Sequence, residues 1–385
     1  MEGKNNNQNT VSAKKRKRTT SRMRARRKKR IIIVCLELIM LIVLAGCAWA
    51  VRMMDMYNYK GLDEDKLYIP TFDNPSNEVV DDGEGEQQEN YGEVLEGYTN
   101  IALIGVDARD NSTLTSGTNS DVIIICSINN ETKDVKLLSV YRDTYMMMAD
   151  KKTYQKANYA LMKGDITDTV NVLNMNLDLN ITEYVVVNWA AVANAIDILG
   201  GIDVEITDEL INQGQLNGYI TDVVKATGMP GEQIWEPGVY HLSGVQAVAY
   251  CRIRYVGTDT GRTERQREVI QKMVESAKTA SFGTILRVVN EVLPNIASSL
   301  DKAEILSMAG AISKYNIVDQ SGFPFQFETA KWVGGITNCD WPIVANNFEQ
   351  NVVQLHQFLF GGEVYSSSAK VKEVSSYLRD ISGVE

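Results

Sequence analysis

The sequence predicts an α/β fold, an αβα sandwich, placed outside a membrane by one spanning helix. Three observations point there. Apolar runs of strand character alternate with stretches of helical spacing from about residue 99 to about residue 361, the pattern of a sheet covered by helices. Residues 31–51 form an apolar stretch whose only ionisable group is Glu37. Charge is also divided along the chain. Residues 1–30 carry thirteen Lys/Arg and one acid, whereas the full 385 residues carry −10, so the part beyond the apolar stretch is strongly acidic. At 44% hydrophobic and 23% charged, the chain is not wholly disordered, collagen-like or a polytopic membrane protein. Its length fits two domains or one large domain with additions.

Residues 31–51 match the about 20 apolar residues that a helix needs to cross a bilayer. Lys and Arg collect on the cytoplasmic side, and the basic block 22–30 abuts the N-terminal end of this stretch. The expected arrangement is a single-pass, type II protein of the cell membrane, with a basic cytoplasmic tail over 1–30, a transmembrane helix over 31–51 and everything later outside. Glu37 is read as an acid that snorkels near the inner third rather than as the mark of a partner helix. Leu44-Ala45-Gly46-Cys47 looks like a lipobox. Apolar residues nevertheless continue to Val51 and the basic leader is long for a signal peptide, so spanning is preferred over cleavage and lipidation. The tail contains no aromatic residue. Its charge is assigned to orientation and anionic lipid, and no nucleic-acid partner is expected.

Residues 52–96 read as an acidic, disordered stalk, since 78–96 hold eight acids and no Lys or Arg among Gly, Gln and Asn. A core domain over 97–280 follows. Strands are predicted at 100–106 and 122–128, at 135–140 after the turn residues 129–134, and at 183–187. Helices are predicted at 165–177, at 190–199 with Gly200 and Gly201 closing it, at 245–251 and at 262–280. Residues 281–385 read as a helical extension, with apolar spacing at Ile305, Met308 and Ile312 and again at Phe348, Val352, Leu355 and Leu359. Outside the membrane stretch the cysteines are Cys126, Cys251 and Cys339. Three cannot all pair, and core thiols are preferred over one bridge. The only histidines, His241 and His356, argue against a His-based zinc site or a Ser-His-Asp triad.

Polar residues stand where the apolar strands stop. Asp107 and Arg109 follow the first, Asn119 and Asp121 precede the second, and Arg142 and Asp143 follow the third. Residues 251–270 then bring Arg252 and Arg254, which share a face if extended, followed by Asp259. Arg262, Arg265, Gln266 and Arg267 fall in the first turns of a helix. In open α/β folds ligands sit beyond strand ends. Guanidinium forks bind phosphate oxygens in pairs, and several converge only around an anion of high charge. A helix N-terminus adds N–H donors. Paired aspartates without histidine suit Mg²⁺ or Mn²⁺, which bridges phosphate oxygens to carboxylates. The set therefore reads as a diphosphate site with a divalent ion. For any single arginine a surface salt bridge in an acidic domain is the plainer alternative.

The stretches IALIGVDAR, SDVIIICSINNETKDVKLLSVYRDTYM, YVVVNWAAVANAIDILGGIDVEI and YHLSGVQAVAYCRIRYVGTDTGRTERQREVI resemble, in order and spacing, the successive blocks of the LytR-CpsA-Psr family of bacterial cell-envelope proteins. The resemblance covers about residues 100–280 and extends to the short basic tail and single helix in front. It implies an αβα sandwich with a central mixed sheet, holding a polyprenyl pyrophosphate with its tail in an apolar tunnel and its head on arginines. It further implies a magnesium-dependent phosphotransferase that moves teichoic acid or capsular polysaccharide from undecaprenyl pyrophosphate to peptidoglycan as a phosphodiester.

By the same resemblance Asp107 and Asp121 are the magnesium-side aspartates, and Arg142, Arg252, Arg254, Arg262 and Arg265 the pyrophosphate arginines. Gln266 and Asp143 fall on motif positions of less certain role. Catalysis is expected of Asp107, Asp121, Arg142, Arg252 and Arg254, with Arg109 and Gln266 as further pyrophosphate contacts and Asp143, Asn119 and Asp259 behind them. The family's usual Arg-Ser-Asp reads Asn119-Ser120-Asp121 here. Either Arg109 or Arg267 compensates for the missing arginine, or this member is weaker or differently specialised. An exported transferase has no ATP, and a prenyl-linked diphosphate carries its own anhydride. Two readings keep the same clamp without transfer, a polyprenyl-pyrophosphate pyrophosphatase and a regulator of envelope assembly or transcription. Residues 281–385, with Trp332 among them, pack on the core or receive peptidoglycan, packing being the default.

Overall fold

The computed structural model describes residues 58–72, 91–108, 111–362 and 365–384, together with Met40. The basic tail, the apolar stretch 31–51 apart from Met40, and Arg109 lie outside the described residues. Among the described residues no helix is long and apolar enough to cross a membrane. The elements of the fold belong to the unit that begins at Asn58.

A seven-stranded mixed sheet forms the centre, flanked by helices as expected. Its strands are β1 (Asn58–Tyr59), β2 (Tyr98–Val106), β3 (Ser120–Asn129), β4 (Asp134–Val140), β5 (Glu183–Asn188), β6 (Ile296–Ser298) and β7 (Asn316–Phe323), in the order β1-β6-β5-β2-β3-β4-β7. β2 lies antiparallel to β3 and parallel to β5, so the C-terminal ends of β2 and β5 lie side by side, with Val106 opposite Asn188. The principal helices are α1 (Ile166–Leu177), α2 (Trp189–Leu199), α3 (Leu216–Thr227), α4 (Gly244–Arg252), α5 (Thr258–Thr279), α6 (Phe282–Val292), α7 (Phe348–Phe360) and α8 (Ala369–Ser382).

Strand alternation distributes β2 between two cores. Ala102, Ile104 and Val106 join the cluster formed with α1, α7 and α8. Ile101 and Leu103 face the opposite side, where Ile270 of α5 and Ile305 and Met308 of the helix Lys302–Gly310 close over the sheet. A third cluster joins α2, α3 and α4 to the two-stranded ribbon of Ile202–Ile206 and Gly238–Leu242. Helix ends follow from local chemistry. Asp165 and Asp168 make a reciprocal capping box at α1, and Gly200, at φ 100, ends α2 in a conformation that glycine adopts at no steric cost.

Three boundaries differ from the expectation. Two parts of the expected stalk are built into the fold. Residues 58–59 pair with β6, Leu62, Leu67 and Phe72 pack on the main core, and Tyr91–Glu96 is a short helix with Leu95 buried. The acidic composition hid these contacts because they are made to elements more than a hundred residues away, such as Asp63 N–H to Thr167 and Tyr68 N–H to Asn171. The C-terminal segment packs on the core, the default expectation, but it is not helical alone. It supplies β6 and β7 to the sheet, and α7 and α8 fill one of its cores. Finally, α5 begins at Thr258 rather than at 262, with left-handed backbone at its cap, Gly257 at φ 71, and at its first residue, Thr258 at φ 58.

Buried polar groups tie the helix Tyr91–Glu96 and the C-terminal segment to the end of α1. His356 Nε2 stands 2.8 Å from the Leu177 carbonyl, which can only accept, so Nε2 carries the proton and Nδ1 accepts from the Tyr91 hydroxyl. Burial pulls this imidazole down to about 3 and keeps it neutral. Beside it Tyr365 stacks on the His356 ring at 3.7 Å and donates to Asp178 at 2.6 Å. Cys126, Cys251 and Cys339 are free thiols, and burial pushes the first two up to about 12.

Candidate active site

Between the sheet and the α2–α5 helices lies a chamber of about 430 Å³. Its floor is Leu103, Gly105, Val122, Ile124, Val185 and Val187 from three strands. Its walls are Val192, Val248, Val269, Ile270 and Met273, and its mouth carries Asp107, Asp121, Arg252, Arg254, Arg262 and Gln266. Val185 and Val187 alternate with the buried Tyr184 and Val186 along β5, yet both remain half-exposed. Apolar side chains left open beneath a charged rim suit an amphiphile with an anionic head.

A β-bulge makes the rim. Gly105 pairs with Val122 but Val106 pairs with Ser120, which leaves Asp121 as the extra residue of β3. Simple alternation would set Asp121 and Val122 on opposite faces, whereas the bulge lets both line the chamber while Ser120 is buried. Asp107, exposed at the end of β2, completes the acidic side. On the neighbouring strand Asn188 caps α2 by accepting from Ala191 N–H at 2.9 Å, which places Trp189 at the first helical position beside the mouth. α4 approaches α2 at Gly244, where an added Cβ would stand 2.0 Å from the Ala193 carbonyl oxygen.

The arginines expected to converge divide into three groups. Arg142 is held by acids, at 2.6 Å from Asp121, 3.4 Å from Asp143 and 3.9 Å from Asp259. Burial alone would pull it down, but Asp143, Asp121 and Asp259 together hold it above its ordinary value. Arg252, Arg254 and Arg262 reach the chamber. Arg252 lies 3.7 Å from the Trp189 ring centroid and 5.2 Å from that of Tyr219, with Nη1 buried and without a hydrogen-bond partner. Arg254 stands 3.7 Å from Asp121. Arg262 meets Asp259 at 2.9 Å and the Asp121 carbonyl at 3.2 Å. Burial pulls it down to about 10, which leaves it charged at neutral pH.

Arg265 and Arg267 belong elsewhere. Arg265 donates to the carbonyls of Ile253 and Val256 and so holds the loop that carries Arg254, pointing away from the chamber. Arg267 donates to Ser139 at 2.7 Å, buried beneath β4, and therefore does not replace the arginine missing at Asn119. Asn119 is exposed and does not line the chamber. Arg252 and Arg254 share no extended face, because Arg252 is the last residue of α4 and Arg254 lies in the loop beyond it.

Two buried donors without a hydrogen-bond partner stand at this mouth, Arg252 Nη1 and Arg262 Nε. Such groups cost about 1–3 kcal/mol each when unmet, so donors at the mouth are matched to an anion. For a divalent ion, the same mouth offers the carboxylates of Asp107 and Asp121. No group of three or more His, Cys, Asp or Glu among the described residues could hold a metal alone. As hard oxygen donors these two carboxylates would fit an ion of the magnesium kind, which would supply charge neutralisation beside a phosphate. Trp189, Tyr219 and the valines of β5 are the site residues that sequence reasoning missed. Their signal was positional, since Asn188 ends the strand parallel to the one that Asp107 follows, and Trp189 comes next.

The sequence profile of the LytR_cpsA_psr family matches residues 69–351. A teichoic acid transferase of Halalkalibacterium halodurans, the polyisoprenyl-teichoic acid–peptidoglycan transferase TagU, is 30% identical over 197 residues, which are 50% of this chain and 58% of that protein. The match thus spans rather more than half of the relative's length. Among solved structures, Bacillus subtilis TagV superposes with a TM-score of 0.53 at 22% identity, over 69% of this chain and 98% of its own. TagT, described as bound to LIIa-WTA, gives 0.52 at 20% identity, over 76% and 93%. At these identities the superpositions establish the fold.

Proposed function

The chain belongs to the LytR-CpsA-Psr family, and from that premise we propose that it is a membrane-anchored, extracellular phosphotransferase that moves an anionic glycopolymer from undecaprenyl pyrophosphate onto peptidoglycan. The supporting observation is the apolar chamber beneath the Arg252, Arg254 and Arg262 rim. A prenyl tail fills the first and a diphosphate meets the second. Relatives named as polyisoprenyl-teichoic acid–peptidoglycan transferases favour teichoic acid as the polymer.

In this reading Arg252 and Arg254 fork the phosphoryl oxygens and Arg262 holds them from behind, so charge that develops during transfer falls on fixed donors. An acceptor sugar hydroxyl attacks the glycan-proximal phosphorus. Its oxygen forms the new P–O bond, the bond to the bridging oxygen breaks, and the prenyl monophosphate departs, the hydroxyl proton passing through water to that phosphate. Asp107 and Asp121 would hold Mg²⁺ or Mn²⁺, which supplies charge neutralisation at the phosphate oxygens. Asp143 and Asp259 orient Arg142 and Arg262 rather than touching the substrate.

The test is reaction of the full-length protein in detergent with a lipid-linked polymer donor and peptidoglycan. Expected products are polymer joined to peptidoglycan by a phosphodiester together with prenyl monophosphate, both lost in Arg252→Ala and dependent on added Mg²⁺. Prenyl monophosphate with free phosphorylated polymer would instead make the protein a pyrophosphatase.

A further inference from the structure

We propose that the loop 331–342, which presents Trp332 and Trp341, is the seat of the saccharide acceptor. The inference rests on the transfer reading above and deepens it.

Trp332 is 55% exposed and Trp341 59%, although large aromatic side chains are on average well buried. The loop that presents them is held tightly. Trp341 N–H donates to the Lys331 carbonyl at 3.0 Å and joins its two ends. Gly335 N–H reaches the Ile381 carbonyl at 2.7 Å, and the buried Val333 and Ile336 anchor it in the core. Asn338 donates to the Tyr154 carbonyl at 3.0 Å and accepts from the Tyr145 hydroxyl at 3.1 Å. Trp341 itself sits at φ 55, a left-handed conformation unfavourable for a bulky residue, maintained by these surrounding contacts.

The anchoring leads to Asp143, which connects to Asp121 of the mouth through Arg142. Ile343 N–H donates to the Asp143 carbonyl at 2.8 Å, and the Asp143 carboxylate meets Arg142 at 3.4 Å and Lys156 at 3.1 Å. Trp341 is two residues from Ile343, within about 7 Å along the chain. A pyranose ring has one face of C–H bonds that lies well on an indole. Rigid aromatic side chains supply contact area at low entropic cost. Lys331, whose Nζ stands 4.8 Å from the Trp332 ring centroid, and Asp340 leave the loop without net charge, so an anionic lipid surface gains no electrostatic hold on it, which favours a glycan strand over the membrane as occupant.

The experiment uses the full chain in detergent with three probes: a β-1,4-linked N-acetylglucosamine–N-acetylmuramic acid tetrasaccharide, geranylgeranyl diphosphate, and anionic phospholipid vesicles. Trp341→Ala and Trp332→Ala are expected to weaken tetrasaccharide binding about tenfold or more. Trp341→Phe retains most of it, and all three variants bind the diphosphate as the parent does, which shows that they are folded. Equal tetrasaccharide binding in the alanine variants, no binding by the parent, or loss of vesicle binding in place of saccharide binding would each overturn the proposal. Saccharide binding that depends on the tryptophans, in a protein that takes no lipid diphosphate, would keep the seat and overturn the transfer reading.

Discussion

The guanidinium carbon of Arg252 lies 3.7 Å from the centroid of Trp189, the first residue of the helix that follows β5. The arginine ends one helix and the tryptophan begins another, so the geometry depends on how α2 and α4 meet. Stacking fixes the plane of the fork while Nη1 stays available at the mouth. Trp189→Leu is therefore expected to weaken lipid diphosphate binding about tenfold, ~1.4 kcal/mol, with the melting temperature little changed. Titration with geranylgeranyl diphosphate measures it, and unchanged affinity would remove Trp189 from the clamp.

Arg262 and Arg265 lie on the same helix but have different tasks. Arg262→Ala should abolish diphosphate binding. Arg265→Ala should instead release the loop 253–256, lowering thermal stability and weakening binding only partly, because its contacts are the Ile253 and Val256 carbonyls. Equal losses of affinity without loss of stability would return Arg265 to the ligand.

Gly105 stands opposite the bulge. A Cβ there would lie 2.8 Å from both Cβ and Cγ2 of Val122, within the chamber floor. Gly105→Ala is expected to cost about 1–3 kcal/mol through overpacking, and Val122→Ala in the same chain to recover most of it. Denaturant unfolding of the single and double variants decides; no recovery would place the strain elsewhere.

Acid should loosen the packing of α7 against Tyr91 and the end of α1. The unfolded His356 takes up its proton near 6.5 and the folded one near 3, so stability is complete above the unfolded value and falls as pH drops through that window, by roughly 1.4 kcal/mol per pH unit at most. Asp178 works in the opposite sense. Burial holds it above the ordinary carboxylate range, against its bonds from Tyr365 and Ser368. The stability gap between the parent and His356→Gln should therefore be wide at pH 7 and narrow at pH 5, measured by thermal melts. A gap independent of pH would show that the buried imidazole is not the cause.

The central strands and most helices were legible in the sequence because each is signalled locally. β2 and β3 are apolar runs, α1 begins at an aspartate cap, and α2 ends at paired glycines. Asp107, Asp121, Arg252, Arg254 and Arg262 could be named for the same reason, since they stand at the ends of those elements. The part played by 58–72 and by β6 and β7 was not legible. Short edge strands carry little pattern and are defined by partners far along the chain, as Asn58 is by Ala297.

The sequence by itself determined the α/β architecture, the divided charge and the stock of arginines and aspartates that could meet a diphosphate. Only the tertiary structure decided which of them line the chamber. Arg262, Arg265 and Arg267 are near neighbours in sequence, yet α5 turns them toward Asp121, toward a loop carbonyl and toward Ser139. At about 100° per residue, a helix gives neighbours different surroundings, and what each arginine can bind is set by the partner packed against that face.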